Sequence, residues 1–363
     1  YNLYWISVLL LMNSDLGFSQ ITGDYQTNGD VTFAEAINWQ VYYTGSGWIN
    51  ASVAPSSTNG IITVRNGHTA TVTADKSIDQ TVIASGGFLV INSGKILTIA
   101  NGSGTDCNVY GTIINSGSIT TTGSLVFNNG GIYRHSFTTS QGSIPTSTWN
   151  LGSTCEIIGY TSNSNPPTGL GQSFYSFKWN CPAQTTNISA GGNLTTINGD
   201  LIIEATNKGS FRLAGITSPV LTIGGSLIIN DGTFNLSSVS GNSVINLSGN
   251  FSMSGGTLTQ TGTGSGTINF SKSDIQTFTK TGGTISNTIN FAVLSGSILD
   301  LSANVLDNSS GGNFTLNNGA TLKTTHPEGI SLSGESGCIQ LMGVLDFKTG
   351  ATFVYYRNGA QNT

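Results

Sequence analysis

Between residues 221 and 260 apolar and polar side chains alternate, and the alternation comes in two copies. Leu221, Leu227, Ile229 and Phe234 in the first copy become Ile245, Phe251, Met253 and Leu258 in the second, all displaced by the same interval. Alternation with a period of two is that of a strand with one buried face. Glycines break the strands at matching places, Gly225 with Gly249 and Gly232 with Gly256. A period in the twenties built from short strands is the signature of a solenoid. One such coil cannot bury its apolar face alone, so coils stack strand on strand. The pattern predicts an all-β chain folded as a single-stranded parallel β-helix. At ~4.8 Å per coil, about a dozen coils make a rod of about 55 Å.

The rest of the chain is read against that unit. In residues 61–135, Ile62, Val64, Ala70 and Val72 face inward on either side of an Asn66-Gly67 turn, and Thr63, Thr69, Thr71 and Thr73 face out. Ile91-Asn92-Ser93-Gly94 returns as Ile114-Asn115-Ser116-Gly117 about one coil later, which predicts an amide ladder of Asn92 over Asn115. Residues 136–190 break the rhythm. They hold Trp149, Trp179 and four of the 7 prolines, Pro145, Pro166, Pro167 and Pro182, and read as a loop-rich insertion or irregular coils. Coils resume over residues 191–363. Phe291, Val293 and Gly296 are echoed at one common spacing by Phe314, Leu316 and Gly319, and then by Ile339, Leu341 and Gly343.

The two ends differ from the middle. Residues 1–19 read as a secretory signal, apolar over 5–12 with small Gly17 and Ser19 before Gln20, against the alternative of a buried N-terminal strand or helix. Residues 20–60 carry Trp39, Tyr42, Tyr43 and Trp48 with little repeat character and read as a cap. Apolar Phe353-Val354-Tyr355-Tyr356 near the last residue predicts an uncapped coil, truncated here and continued by further domains after Thr363.

Charged residues are only 8%, against about 25% in ordinary globular proteins, so Ser, Thr, Asn and the 49 glycines must form the surface and corners. The net charge of −5 is spread out with no Lys/Arg cluster, which argues against nucleic acid as a partner. No apolar run reaches the ~18 residues of a membrane span.

Polysaccharide lyases and hydrolases also occur on β-helices, and each needs carboxylates gathered on one face. The acids of the later coils are scattered: Asp200, Glu204, Asp231, Asp274, Asp300, Asp307, Glu328, Glu335 and Asp346. The arginines Arg65, Arg134, Arg212 and Arg357 have no acid at a similar coil position in this reading, and only Asp300 and Glu328 approach one another. No catalytic residue is assigned. His68, His135 and His326 lack metal-ligand spacing and read as solvated turn histidines, with no metal and no cofactor. Cys155 and Cys181, about one coil apart, read as a disulfide or as two small buried side chains, and Cys107 and Cys338 as unpaired. Trp39, Tyr42, Tyr43 and Trp48 form either a sugar-stacking platform or, as the pattern favours, a plug on the first coil. Trp149 and Trp179 divide in the same way between a small core and a ligand site. Thr69/Thr71 and Thr257/Thr259 are the pairs an ice-binding array would use, but Thr257 and Thr259 fall over Thr233 and Asn235, so the array fails.

Several stretches carry a family resemblance: Trp39-Gln40-Val41-Tyr42 with Gly47-Trp48, Ser147-Thr148-Trp149-Asn150, Phe177-Lys178-Trp179-Asn180-Cys181-Pro182, and Gly264-Ser265-Gly266-Thr267-Ile268-Asn269-Phe270. They resemble secreted and cell-surface repeat-rich β-helix proteins of Bacteroidota. The resemblance implies export by a type IX-like route and a C-terminal sorting domain. The expected function is an exported structural or adhesive segment that meets surface glycans or other cell-surface proteins. The alternative is a carbohydrate-binding or pectin-lyase-like β-helix.

Overall fold

The computed structural model describes residues 19–308, 310–331 and 334–362, so the expected signal segment lies outside the described residues except for Ser19. These residues form 39 short strands and no helix. Strands pair with their counterparts in neighbouring coils, most of them on both sides. The pairings along the rod are parallel and build a β-solenoid of about 11 turns, the parallel β-helix expected from the alternation.

One sheet runs the length of the rod, 14 strands from Val31–Thr32 to Thr352–Tyr355. An 8-stranded sheet flanks its first half and a 7-stranded and a 5-stranded sheet its second half. At the N-terminal end Tyr25–Thr27 pairs antiparallel with Trp39–Tyr43, which pairs antiparallel with Gly47–Asn50. This small meander closes the first coil, and Trp39 is its buried plug, with Nε1 donating to the Thr32 carbonyl at 3.0 Å.

Inside the rod the inward residues form one apolar column, each fully buried side chain contributing about 1.5–3 kcal/mol. Because ordering the backbone costs a comparable amount, the stack rather than the single coil is the stable unit. The repeat read from residues 221–260 holds position by position. Leu221 pairs with Ile245, Leu227 with Phe251, Ile229 with Met253 and Phe234 with Leu258. At the corner between them a Cβ on Gly249 would lie 2.2 Å from the Gly225 carbonyl carbon, so only glycine lets the two backbones approach. Aromatic rings stack where coils repeat them: Phe211 on Phe234 with ring centroids 5.9 Å apart, Phe251 on Phe278 at 4.7 Å.

Two registers differ from expectation. Asn115 stands opposite Ile91, not Asn92. That coil is one residue longer than the motif spacing implies, so Asn115 turns inward and is fully buried. Phe291 and Val293 do pair with Phe314 and Leu316, but Ile339 and Leu341 pair with Leu306 and Asn308. The strand above Phe314 is instead Leu345–Phe347, because chain between residues 325 and 338 lengthens that coil. Residues 136–190 stay within the stack: Thr148–Trp149 pairs with Val126 and Phe127, and Thr154–Ile157 pairs with strands on both sides.

Candidate functional site

Four outward residues of the long sheet bring opposite charges together on successive coils. Arg134, Glu156 and Lys178 occupy one register, and Glu204 follows after a bulge at Trp179/Asn180. Arg134 Nε lies 2.9 Å from Glu156 Oε2, and Lys178 Nζ lies 3.7 Å from Glu156 Oε1 and 3.2 Å from Glu204 Oε2. Asn180 Nδ2 donates to Glu156 Oε1 at 3.1 Å and Asn230 Nδ2 to Glu204 Oε2 at 3.1 Å. The row corrects the expectation that Arg134 lacks an acid at its coil position. Both residues are third in their strands, Ile132-Tyr133-Arg134-His135 and Thr154-Cys155-Glu156-Ile157, a signal that aligning those coils would have found.

The row is built for mutual neutralisation. Burial works to raise the Glu204 pKa, but the bond from Asn230 and the ammonium of Lys178 outweigh it and hold the carboxyl below its ordinary value. A general acid requires the reverse, a carboxyl kept protonated near neutral pH. Asp300 and Glu328 do not converge: Asp300 accepts from the Tyr356 hydroxyl and lies 3.9 Å from Lys323 Nζ, whereas Glu328 accepts from the Gly337 amide.

A second polar cluster lies inside the rod. His135 is fully buried, which corrects its reading as a solvated turn residue. Its Nε2 sits 2.8 Å from the Gln141 carbonyl, which can only accept, so Nε2 carries the proton. Nδ1 faces the Tyr133 hydroxyl at 3.2 Å, and Asn115 Nδ2 donates to that same hydroxyl at 3.0 Å. Burial pushes the His135 pKa down to about 4 against the pull of the Gln141 bond. A third cluster pairs Asp79 with Asp106. Burial raises Asp79, and its hydrogen bond to Asp106 and the charge there raise it further. Burial opposes ionisation of Asp106 too, but amides of Ser124 and Gly102 and the Ser124 hydroxyl hold it low. The two carboxyls are therefore driven apart, Asp79 above and Asp106 below the ordinary carboxylate value.

The aromatic candidates separate. Trp179 is fully buried, its Nε1 bonded to Gln184 Oε1 at 2.8 Å and its ring on Phe211 at 4.3 Å. Trp149 is 7% exposed and stacks on Phe127 at 4.5 Å. With Trp39 they are core residues, which is the plug and small-core side of the alternatives given for them. Tyr42 and Trp48 remain partly accessible, edge to face at 5.3 Å, beside exposed Tyr43. The disulfide alternative is also corrected, since Cys155 and Cys181 are free and buried. Cys155 is in register with Phe177, and Cys181 Sγ donates to the Ile157 carbonyl at 3.5 Å. Among the described residues no group of three or more His, Cys, Asp or Glu side chains is placed to hold a metal ion.

No protein-family model, characterised protein or solved structure matches this chain.

Proposed function

We propose that the chain is an exported structural and adhesive rod, a stalk or scaffold segment whose polar faces meet a surface or its glycans. The observation that carries this reading is the continuous strand-on-strand pairing of the long sheet from Val31–Thr32 to Thr352–Tyr355. Such a ladder makes a stiff support, and its Ser, Thr and Asn rows repeat weak hydrogen-bonding groups coil after coil, the condition for avidity. The charged row supports the same reading, because Glu156 and Glu204 are engaged by Arg134, Lys178, Asn180 and Asn230 and so bind coil to coil. Export and a bacterial-surface location rest on the signal-like residues 1–19 and the resemblance to surface proteins.

Beads carrying the chain should stay on a glycan- or cell-coated surface under flow, with retention rising steeply as the number of chains per bead increases. Retention no better than that of bare beads would remove the adhesive role. Release of reducing ends or unsaturated uronates from a polysaccharide panel, lost in Glu156→Gln or Glu204→Gln, would replace it with catalysis. A second reading, sugar binding by the N-terminal aromatics, is favoured by the accessible Tyr42–Trp48 pair beside Tyr43. It requires that Tyr43→Ala or Trp48→Ala abolish signals on a glycan array.

A further inference from the structure

On the outer face of the 8-stranded sheet a row of side-chain amides runs in one direction and ends at an open depression. Asn150 Nδ2 donates to Asn128 Oδ1 at 3.0 Å, and Asn128 Nδ2 donates to Asn108 Oδ1 at 3.1 Å. Hydrogen bonds chained in this way polarise one another. The direction leads to Asn108, which lines a hollow of about 410 Å3 together with Ile61, Gln80, Val82, Ser103 and Thr105. Gln80 spans the hollow's edge, its Nε2 donating to the Ser103 carbonyl and hydroxyl at 3.2 and 3.0 Å, which leaves Oε1 as an acceptor. Val82, 6% exposed, and half-buried Ile61 supply an apolar floor, while the hydroxyls of Ser103 and Thr105 stand at the rim.

We propose that this hollow binds a neutral sugar unit of a glycan. A donor from Asn108, an acceptor from Gln80 and hydroxyls that do either surround a floor suited to the C–H face of a pyranose ring. Among the described residues no Lys, Arg, Asp or Glu lines the hollow, so its lining offers nothing to balance a uronate, sulfate or phosphate. Asp79 and Asp106, next in sequence to the lining residues Gln80 and Thr105, are engaged by backbone amides: Asp79 accepts from the Gln80 amide and Asp106 from the Gly102 amide, each at 2.7 Å. The volume falls in the range of small-molecule sites, about 300–1,000 Å3, enough for one or two sugar rings. The inference rests on the adhesive reading and supplies its ligand class.

The test titrates the full chain with neutral oligosaccharides of glucose, galactose, mannose and N-acetylglucosamine, and with oligogalacturonate, by calorimetry or ligand-observed NMR. At least one neutral sugar should bind, with oligogalacturonate at least ten-fold weaker. Asn108→Asp keeps the acceptor that Asn128 needs and removes the donor, so it should weaken neutral-sugar binding ten-fold or more with the circular dichroism spectrum unchanged. Thr105→Trp fills the hollow from its rim without touching the amide row and should do the same, which guards against a folding defect in the first variant. Binding that survives both variants overturns the site, and its loss in Trp48→Ala instead would place the ligand on the N-terminal aromatics. No binding of any neutral sugar also overturns the site, whereas bead retention under flow tests the adhesive reading separately.

Discussion

His135 and Asp79 titrate in opposite senses, and each has a consequence for stability. His135 is held neutral, with its pKa lowered from 6.5 to about 4 by burial. Between those values the unfolded chain binds the extra proton, so stability falls as pH drops from 6.5 toward 4, by at most roughly 3 kcal/mol. His135→Asn should flatten the denaturation midpoint across that window whatever its absolute stability. An unchanged slope would show that the imidazole is not responsible. Asp79 is raised, so its contribution is complete below the unfolded pKa and is lost as pH rises through the folded one. Asn at this position keeps the acceptor for the Gln80 amide, bonded at 2.7 Å, and gives Asp106 a permanent donor. Asp79→Asn should therefore raise the denaturation midpoint at pH 7 and leave it unchanged at pH 3. An equal or lower midpoint at pH 7 would show that ionised Asp79 costs the fold nothing. The burial of His135 is legible in part, since it follows Tyr133 by two and so shares its inward face. What hides it is the returning 138–143 segment, with Phe137 packed on the ring at 4.4 Å, and nothing local announces that fold-back.

At the level of strands and corners, period-two alternation identifies inward positions well because a one-residue slip would put every aliphatic side chain in water. It does not see pairs across coils whose lengths differ. Arg134 and Glu156 are 22 residues apart, whereas Asn230 and Glu204 are 26, so a fixed period misses the charged row even where each strand is assigned correctly. Glu156→Ala would leave Arg134 and Lys178 facing each other over a side chain that is 9% exposed. Because both cations still reach solvent, the expected cost is about 1–2 kcal/mol, recovered in part by Glu156→Gln, as read by urea denaturation. Gly249→Ala tests the corner instead. Its Cβ would meet backbone of Gly225 and Ser226, which cannot move aside as a flexible side chain would. A loss of about 1–3 kcal/mol or more follows, and a neutral result would mean that the corner is looser than its geometry.

For the whole molecule, nearest-neighbour stacking means that a complete coil is removable while part of one is not. Deleting residues 225–248 joins Gly224 to Gly249, the counterpart of Gly225, and so removes one full repeat. The shortened chain should fold with an unchanged circular dichroism spectrum and a rod shorter by ~4.8 Å. Deleting only residues 225–236 should abolish cooperative unfolding, because strands would then face turns. If both deletions behave alike, coil register is not what holds the rod. The solenoid is legible because Leu221–Phe234 and Ile245–Leu258 repeat at one interval, and it is less so elsewhere because coil lengths differ, most of all where Phe314 pairs with Leu345. A fixed period misplaces Ile339 for that reason alone.

The sulfur atoms offer a way to follow such a rod in time. Cys107, Cys155, Cys181 and Cys338 are free and buried at separate heights, and burial pushes the thiols of Cys107 and Cys181 up to about 12 and that of Cys338 up to about 11. None reacts readily until its own turn opens. The rate at which an alkylating reagent marks each one therefore gauges local opening at that address. Comparing the four would reveal whether the column frays from one extremity, from both, or ruptures in the centre.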